Sequence, residues 1–172
     1  MGIIVKIIKF FDFLSEKSGT YGKWAAFLLV LVGTYDTIAR HFSNAPTVWG
    51  YDMICMLGGA MYLLGASYDY FHEAHTRVDL LYNLLKPRWR ALLNVIASLV
   101  LFFPLMTVML KLAVEWSIKA WKVNEVMFTS IWYPPALPYR SVFALGLLLL
   151  VLQGISKFVK DLYFVIRGKQ ID

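Results

Sequence analysis

The sequence predicts an all-α integral membrane protein with four transmembrane helices and an N-terminal amphipathic interfacial helix, and three observations carry that prediction. Four apolar stretches, at about residues 21–39, 48–71, 91–118 and 137–159, occupy most of the 172 residues. Hydrophobic residues make up 59% of the chain and charged residues 16%, below the roughly one quarter usual in soluble domains. The run from Ala91 to Leu110 has only Asn94, Ser98 and Thr107 as polar interruptions, and about 20 apolar residues are what a bilayer core demands of a spanning helix. In lipid each backbone N–H and C=O must be satisfied within its own segment, so spans of this length are helices.

Residues 3–17 precede the first span. At 100° per residue, Ile3, Ile4, Ile7, Ile8, Phe10, Phe11 and Leu14 fall on one arc and Lys6, Lys9, Asp12, Glu16 and Lys17 on the other, with Val5 and Phe13 as exceptions. The pattern predicts a helix lying in the headgroup layer, its lysines toward anionic lipid, with Ser18-Gly19 turning the chain into the first span. No small-residue cleavage site follows, which excludes a secretory signal, and Lys6 breaks the myristoylation pattern begun by Met1-Gly2.

The second span carries small residues at heptad-like spacing, Cys55, Gly58, Gly59, Gly65 and Ala66, with Asp52 and Asp69 near its ends. Small side chains let backbones approach in lipid, so this face is expected to pack within the bundle or against another subunit. Cys55, the sole cysteine, reads as a small packing residue and rules out an internal disulfide. In the third span Lys111, Glu115, Lys119 and Lys122 form a polar stripe, which predicts a helix continuing beyond the hydrocarbon with Glu115 pairing one turn away. Before the fourth span, Pro134, Pro135 and Pro138 stiffen an aromatic connection suited to the outer interface.

Orientation follows from the basic residues. Lys6, Lys9, Lys17 and Lys23, then Arg77, Lys86, Arg88 and Arg90, then Lys157, Lys160, Arg167 and Lys169 fall on one side; Arg40, Lys119, Lys122 and Arg140 fall on the other. Cytoplasmic flanks accumulate Lys and Arg, so both termini are expected in the cytoplasm of a bacterial cell, with the chain a single multi-pass unit in the inner membrane. The net charge of +6 sits at span ends and does not gather into a basic face for nucleic acid. A haem or quinone anchor would need facing histidines at one depth, whereas His41 follows the first span and His72 and His75 share the opposite end. An autonomous transporter would need polar groups converging at mid-bilayer. No catalytic, metal or cofactor site is expected.

Three motifs in order give the chain a family likeness. After the first span stands Arg40-His-Phe-Ser-Asn44-Ala-Pro-Thr-Val-Trp49; after the second, His75-Thr-Arg77-Val-Asp79; before and within the fourth, Trp132-x-Pro134 and then Leu145-Gly146 and Leu152-Gln153. In these the chain resembles the small membrane subunit of the tripartite ATP-independent periplasmic (TRAP) transporters. It departs from the family where a glutamate commonly follows the tryptophan, since Gly50-Tyr51-Asp52 stands there, and where an arginine often precedes the histidine motif. The resemblance implies a scaffold role beside a large, sodium-coupled elevator subunit that takes up an organic acid delivered by a periplasmic binding protein. It also implies structural or interface roles for the matched residues, with Asp52 the acid that replaces the glutamate.

The topology has a direct test. With Cys55 replaced, thiols introduced at Asn44 and Ser130 are expected to react with a membrane-impermeant reagent in intact cells and one at Lys86 to be shielded; the opposite labelling pattern inverts the orientation.

Overall fold

The computed structural model describes residues 2–43, 47–72, 87–128 and 131–168, and the elements found there are helices. Helix α1 spans Gly2–Ser43 and α2 Gly50–Phe71. Helix α3, Pro87–Ala97, runs through a π-helical turn, Ser98–Phe102, into α4, Phe103–Lys122, and α5 spans Ala136–Arg167. The π turn has a local cause. Pro104 offers no N–H and its ring crowds the carbonyl one turn back; widening that turn, so that the Phe103 N–H reaches the Ser98 carbonyl, accommodates it. α5 starts from an extended Pro135 and ends at Gly168, whose φ of 66° and N–H to the Phe164 carbonyl close the helix in the left-handed conformation glycine allows.

α1 and α2 lie antiparallel along each other, α5 touches every other helix, and the α3–α4 rod rests chiefly on α5. The arrangement puts small and polar residues inside. Ser15, Ser18, Ser67, Gln153 and Ser156 are buried along with Ala113, Ala120 and Ala136, while Trp24, Phe27, Leu101, Leu105 and Trp121 are exposed. In water this distribution would be unstable. In lipid it is expected, because tails are as apolar as leucine and helices associate through close backbone contact and interhelical hydrogen bonds. The rod Pro87–Lys122 and α5 are each long and apolar enough to cross a membrane, and none of the rod's most apolar stretch is buried. α1 and α2 fall short of that apolar standard. Asp36 and Lys23 interrupt α1, and Asp52, Asp69 and a set of glycines dilute α2.

Two sequence expectations are corrected. The chain does not turn at Ser18-Gly19: α1 is one helix of 42 residues, about 63 Å at the α-helical rise. Residues 3–17 therefore do not form a separate helix. The inward face of this first part is also not the apolar arc. Ile8, Ser15, Ser18, Gly19 and Gly22 point inward, whereas Ile7, Phe10 and Phe13 are about half exposed. Cys55 is exposed and does not pack inside the bundle.

Glycines permit two of the closest contacts. A Cβ on Gly146 would lie 2.7 Å from the Leu63 Cβ and 3.2 Å from its carbonyl carbon, and one on Gly154 would lie 2.7 Å from the Phe102 Cζ. The Leu63 backbone cannot step aside. Gly146→Ala is expected to destabilise the isolated chain by about 1–3 kcal/mol through overpacking, measured by denaturant or thermal unfolding in detergent. Gly65→Ala, whose Cβ would enter open space, should leave stability unchanged or raise it slightly through helix propensity. Equal stability of the Gly146 variant and wild type would show that α2 and α5 are not this close.

Candidate functional site

The densest polar arrangement joins α1 to α5 and α2. Asp12 accepts from three α5 donors: Gln153 Nε2 at 3.1 Å and Ser156 Oγ at 2.9 Å on Oδ1, and Lys160 Nζ at 2.7 Å on Oδ2. Gln153, Ser156 and Lys160 recur at i, i+3 and i+7, so one face of α5 presents all three. Ser15, one turn from Asp12, donates to Gln153 Oε1 at 2.8 Å. Gln153 thus receives from one residue of α1 and gives to another, which fixes its amide orientation. A turn further on, Ser18 donates to the Ser15 carbonyl, and its hydroxyl lies 2.7 Å from that of Ser67 on α2. Ser15, Ser67, Gln153 and Ser156 are each no more than 2% exposed. Lys160 also sits over the Phe71 ring, 5.7 Å from its centroid, tying the same cation to the end of α2.

The opposite end of the bundle is closed by two ion pairs. Asp36, 5% exposed, accepts from Arg40 Nε at 2.8 Å and from the Thr47 backbone N–H at 3.2 Å, with the Thr47 hydroxyl on the same carboxylate. Tyr35 stacks on Trp49 with ring centroids 5.9 Å apart. A side chain on Gly50 would run into the Asp36 carboxyl group, so the glycine leaves room for this bridge between α1 and α2. On the other flank Arg140 of α5 makes a bidentate pair with Glu125, both bonds at 2.7 Å, and donates to the Trp116 carbonyl at 3.3 Å. The intervening chain folds back on itself through Met127 N–H to the Pro134 carbonyl and Ala136 N–H to the Glu125 carbonyl. Asn124 and Tyr133 take left-handed conformations to make that reversal.

The sequence-derived residues divide accordingly. Gln153 is at the centre of the buried cluster, Arg40 and Trp49 are at the α1–α2 junction, and Pro134 is buried in the folded-back connection with Trp132 on its exposed side. The acid that holds Arg40 is Asp36, one helical turn before it; Asp52 is itself buried at the start of α2. A Cβ on Gly58 would meet Leu29 of α1 at 3.4 Å and one on Gly59 Tyr139 of α5 at 3.3 Å; Gly65 lies against Gly22, and Asp69 is exposed. Asn44, His75, Arg77 and Asp79 lie outside the described residues. Lys111 and Glu115 pair at 3.9 Å on the exposed face of α4. Sequence reasoning missed Asp12, Ser15, Ser18, Ser67, Ser156 and Lys160 as a cluster. The available signal was the run Ser15, Ser18, Gly19, Gly22, Ala25, Ala26, small residues at i, i+3, i+4 and i+7 that continue across the supposed turn. Among the described residues, no group of three His, Cys, Asp or Glu side chains is placed to hold a metal ion.

A bundle with polar residues locked inside and aliphatic residues outside is a small α-helical membrane protein, held together by helix-to-helix polar contacts. Within that class its sequence is specific: the family model for tripartite ATP-independent periplasmic transporters, DctQ component, matches residues 29–163. The chain belongs to this family and is a small membrane subunit of a TRAP transporter. No curated protein and no solved structure matches it.

The cluster on Asp12 has a measurable signature. Gln153→Leu removes a donor from the half-buried Asp12 carboxylate and an acceptor from the buried Ser15, and is expected to cost about 1–3 kcal/mol per buried group left unsatisfied. In a double-mutant cycle the loss for Asp12→Leu with Gln153→Leu should be clearly smaller than the sum of the single losses. Additive losses in detergent unfolding would mean the two side chains do not interact.

Proposed function

We propose that this subunit is a static brace for the large membrane subunit of its transporter. It crosses the membrane four times with both termini in the cytoplasm and widens the scaffold against which a sodium-coupled elevator carries an organic acid handed over by a periplasmic binding protein. The observation that carries this reading is the closure of the interior. Among the described residues, every buried side-chain nitrogen and oxygen has a hydrogen-bond partner, and Asp12, the carboxylate between α1 and α5, is engaged in a helix-to-helix link. A carboxylate committed to Lys160, Ser156 and Gln153 is poor equipment for binding and releasing a cation, since a transport site must exchange its ligands at each cycle.

The exterior supports the same reading. The α3–α4 rod touches the rest of the chain chiefly through α5 and leaves the remainder of its circumference to lipid or to another subunit. The reinforced far end, with Asp36 and Arg40 on one flank and Glu125 and Arg140 on the other, offers a stiff rim on the side facing the periplasm.

Affinity purification of the tagged large subunit is expected to bring this chain down, and cells lacking the chain are expected to lose uptake. Asp12→Asn should reduce the amount of assembled complex while leaving the sodium dependence of the assembled fraction at the wild-type value. Normal assembly combined with a strongly shifted sodium dependence would overturn the brace and place this subunit in the coupling machinery.

A further inference from the structure

α4 turns Ala113 and Ala120, both buried, toward the bundle. At 100° per residue, Val108, Lys111, Glu115, Ile118 and Lys122 fall on the side of the helix away from them. The side chains of Lys111 and Glu115 are 75% and 55% exposed and approach each other only to 3.9 Å, one turn apart on the same helix. Their depth follows from the register of α4 on α5. Phe102 lies against Gly154, and the Trp116 carbonyl accepts from Arg140 at 3.3 Å. These two contacts are the same number of residues apart on either helix, so the helices run antiparallel in step and Lys111 stands level with Leu145 and Gly146. Those two residues are near the middle of the apolar run of α5 from Val142 to Leu152, and Gly146 packs in turn on Leu63 in the inner part of α2. The rod and α5 are both long and apolar enough to cross a membrane. A bilayer that covers the apolar run of α5 therefore has a lysine and a glutamate near mid-depth on the outer face of the rod.

Bare lipid is a poor neighbour for that face. Ionisable side chains at mid-depth are costly in hydrocarbon and are found against protein or water, and an ion pair repays its desolvation only when further hydrogen bonds satisfy both groups. A stem of four carbons does not carry the Lys111 ammonium across half of a hydrocarbon layer about 30 Å thick, and a lipid phosphate does not descend to meet it. A second copy of the chain, related by a two-fold axis along the membrane normal, would set the two Lys111 ammonium groups at one depth against each other. What complements the face is a transmembrane helix of a different chain with polar groups at the same depth. We propose that the Lys111–Glu115 face of α4 is the seat of the large membrane subunit, through a helix that presents a hydrogen-bond acceptor, such as a carboxylate, to Lys111 and a donor to Glu115, while Val108 and Ile118 pack on either side. The inference rests on the brace reading and adds to it the face by which the brace is attached.

The test is site-specific photocrosslinking in cells that carry a tagged large subunit, with p-benzoylphenylalanine introduced at Val108 or Ile118 on the proposed seat and, as the control, at Val30, which is exposed on α1. Val108 and Ile118 are expected to capture the large subunit and Val30 is not. Lys111→Leu should lower the amount of this chain that copurifies with the large subunit at least about tenfold, by stranding the acceptor opposite, and Lys111→Arg should retain most of it. A lysine facing lipid would instead let the leucine variant copurify as well as wild type or better. If the leucine variant loses its helical circular dichroism, the crosslinks decide. Crosslinks to the large subunit from Val30 with none from Val108 or Ile118, or an undiminished Lys111→Leu complex, overturn this face and leave the brace standing; crosslinks from Val108 to a second copy of the chain overturn it as well. Failure of the wild-type chain to copurify with the large subunit overturns the brace and its seat together.

Discussion

The carboxylate of Asp12 is the point on which the arrangement of the helices turns. It is drawn into the contact between α1 and α5, where water is scarce, and an anion there is costly unless donors replace its hydration. Lys160, Ser156 and Gln153 supply three donors from one face of a single helix. Because those donors are spaced along α5, the carboxylate fixes both the height of α1 against α5 and its rotation about its own axis. Ser15 and Ser18 then fall one and two turns later, against Gln153 and Ser67.

That registration explains why α1 is continuous. An amphipathic segment alone would gain by laying its isoleucines and phenylalanines in the headgroup layer. Docked along α5 and α2, it keeps Ile7, Phe10 and Phe13 on the outside of the bundle and exchanges water at Asp12, Ser15 and Ser18 for partners on those helices. Only the docked placement satisfies the polar face with protein. The clasp also links two parts of the chain with different status. Gln153, Ser156 and Lys160 lie within residues 29–163 that match the family, whereas Asp12, Ser15 and Ser18 precede them.

The rest of the bundle follows the same economy. Between the polar closures at its two ends, the helices meet through Gly22 against Gly65, Gly146 against Leu63 and Gly154 against Phe102. Close approach gains dispersion without needing a hydrophobic driving force, which lipid does not provide. α5 can therefore be the common partner of all the other helices, and the α3–α4 rod can remain largely uncovered on its outer side. A subunit built in this way is closely packed where helices meet and open along its flanks, which is what the proposed brace requires.

Sequence alone determined the helical class and, through the spacing of Arg40, Trp49, Trp132, Pro134 and Gln153, the family. These are local properties: hydropathy over about 20 residues identifies a membrane helix wherever it packs, and short motifs keep their order whatever they touch. The α1 geometry was decided only in three dimensions. The periodicity of residues 3–17 fits a separate surface helix and one docked in the bundle equally, and the choice depends on donors about 140 positions away on α5. The Asp36–Arg40 pair is a local i, i+4 contact that α1 makes by itself, whereas only the turn between α1 and α2 brings Thr47 onto the same carboxylate. The small-residue spacing from Ser15 to Ala26 marks a packing face in the sequence, but it does not say which distant side chains meet it, so the contacts that hold this bundle together became visible only when its helices were set side by side.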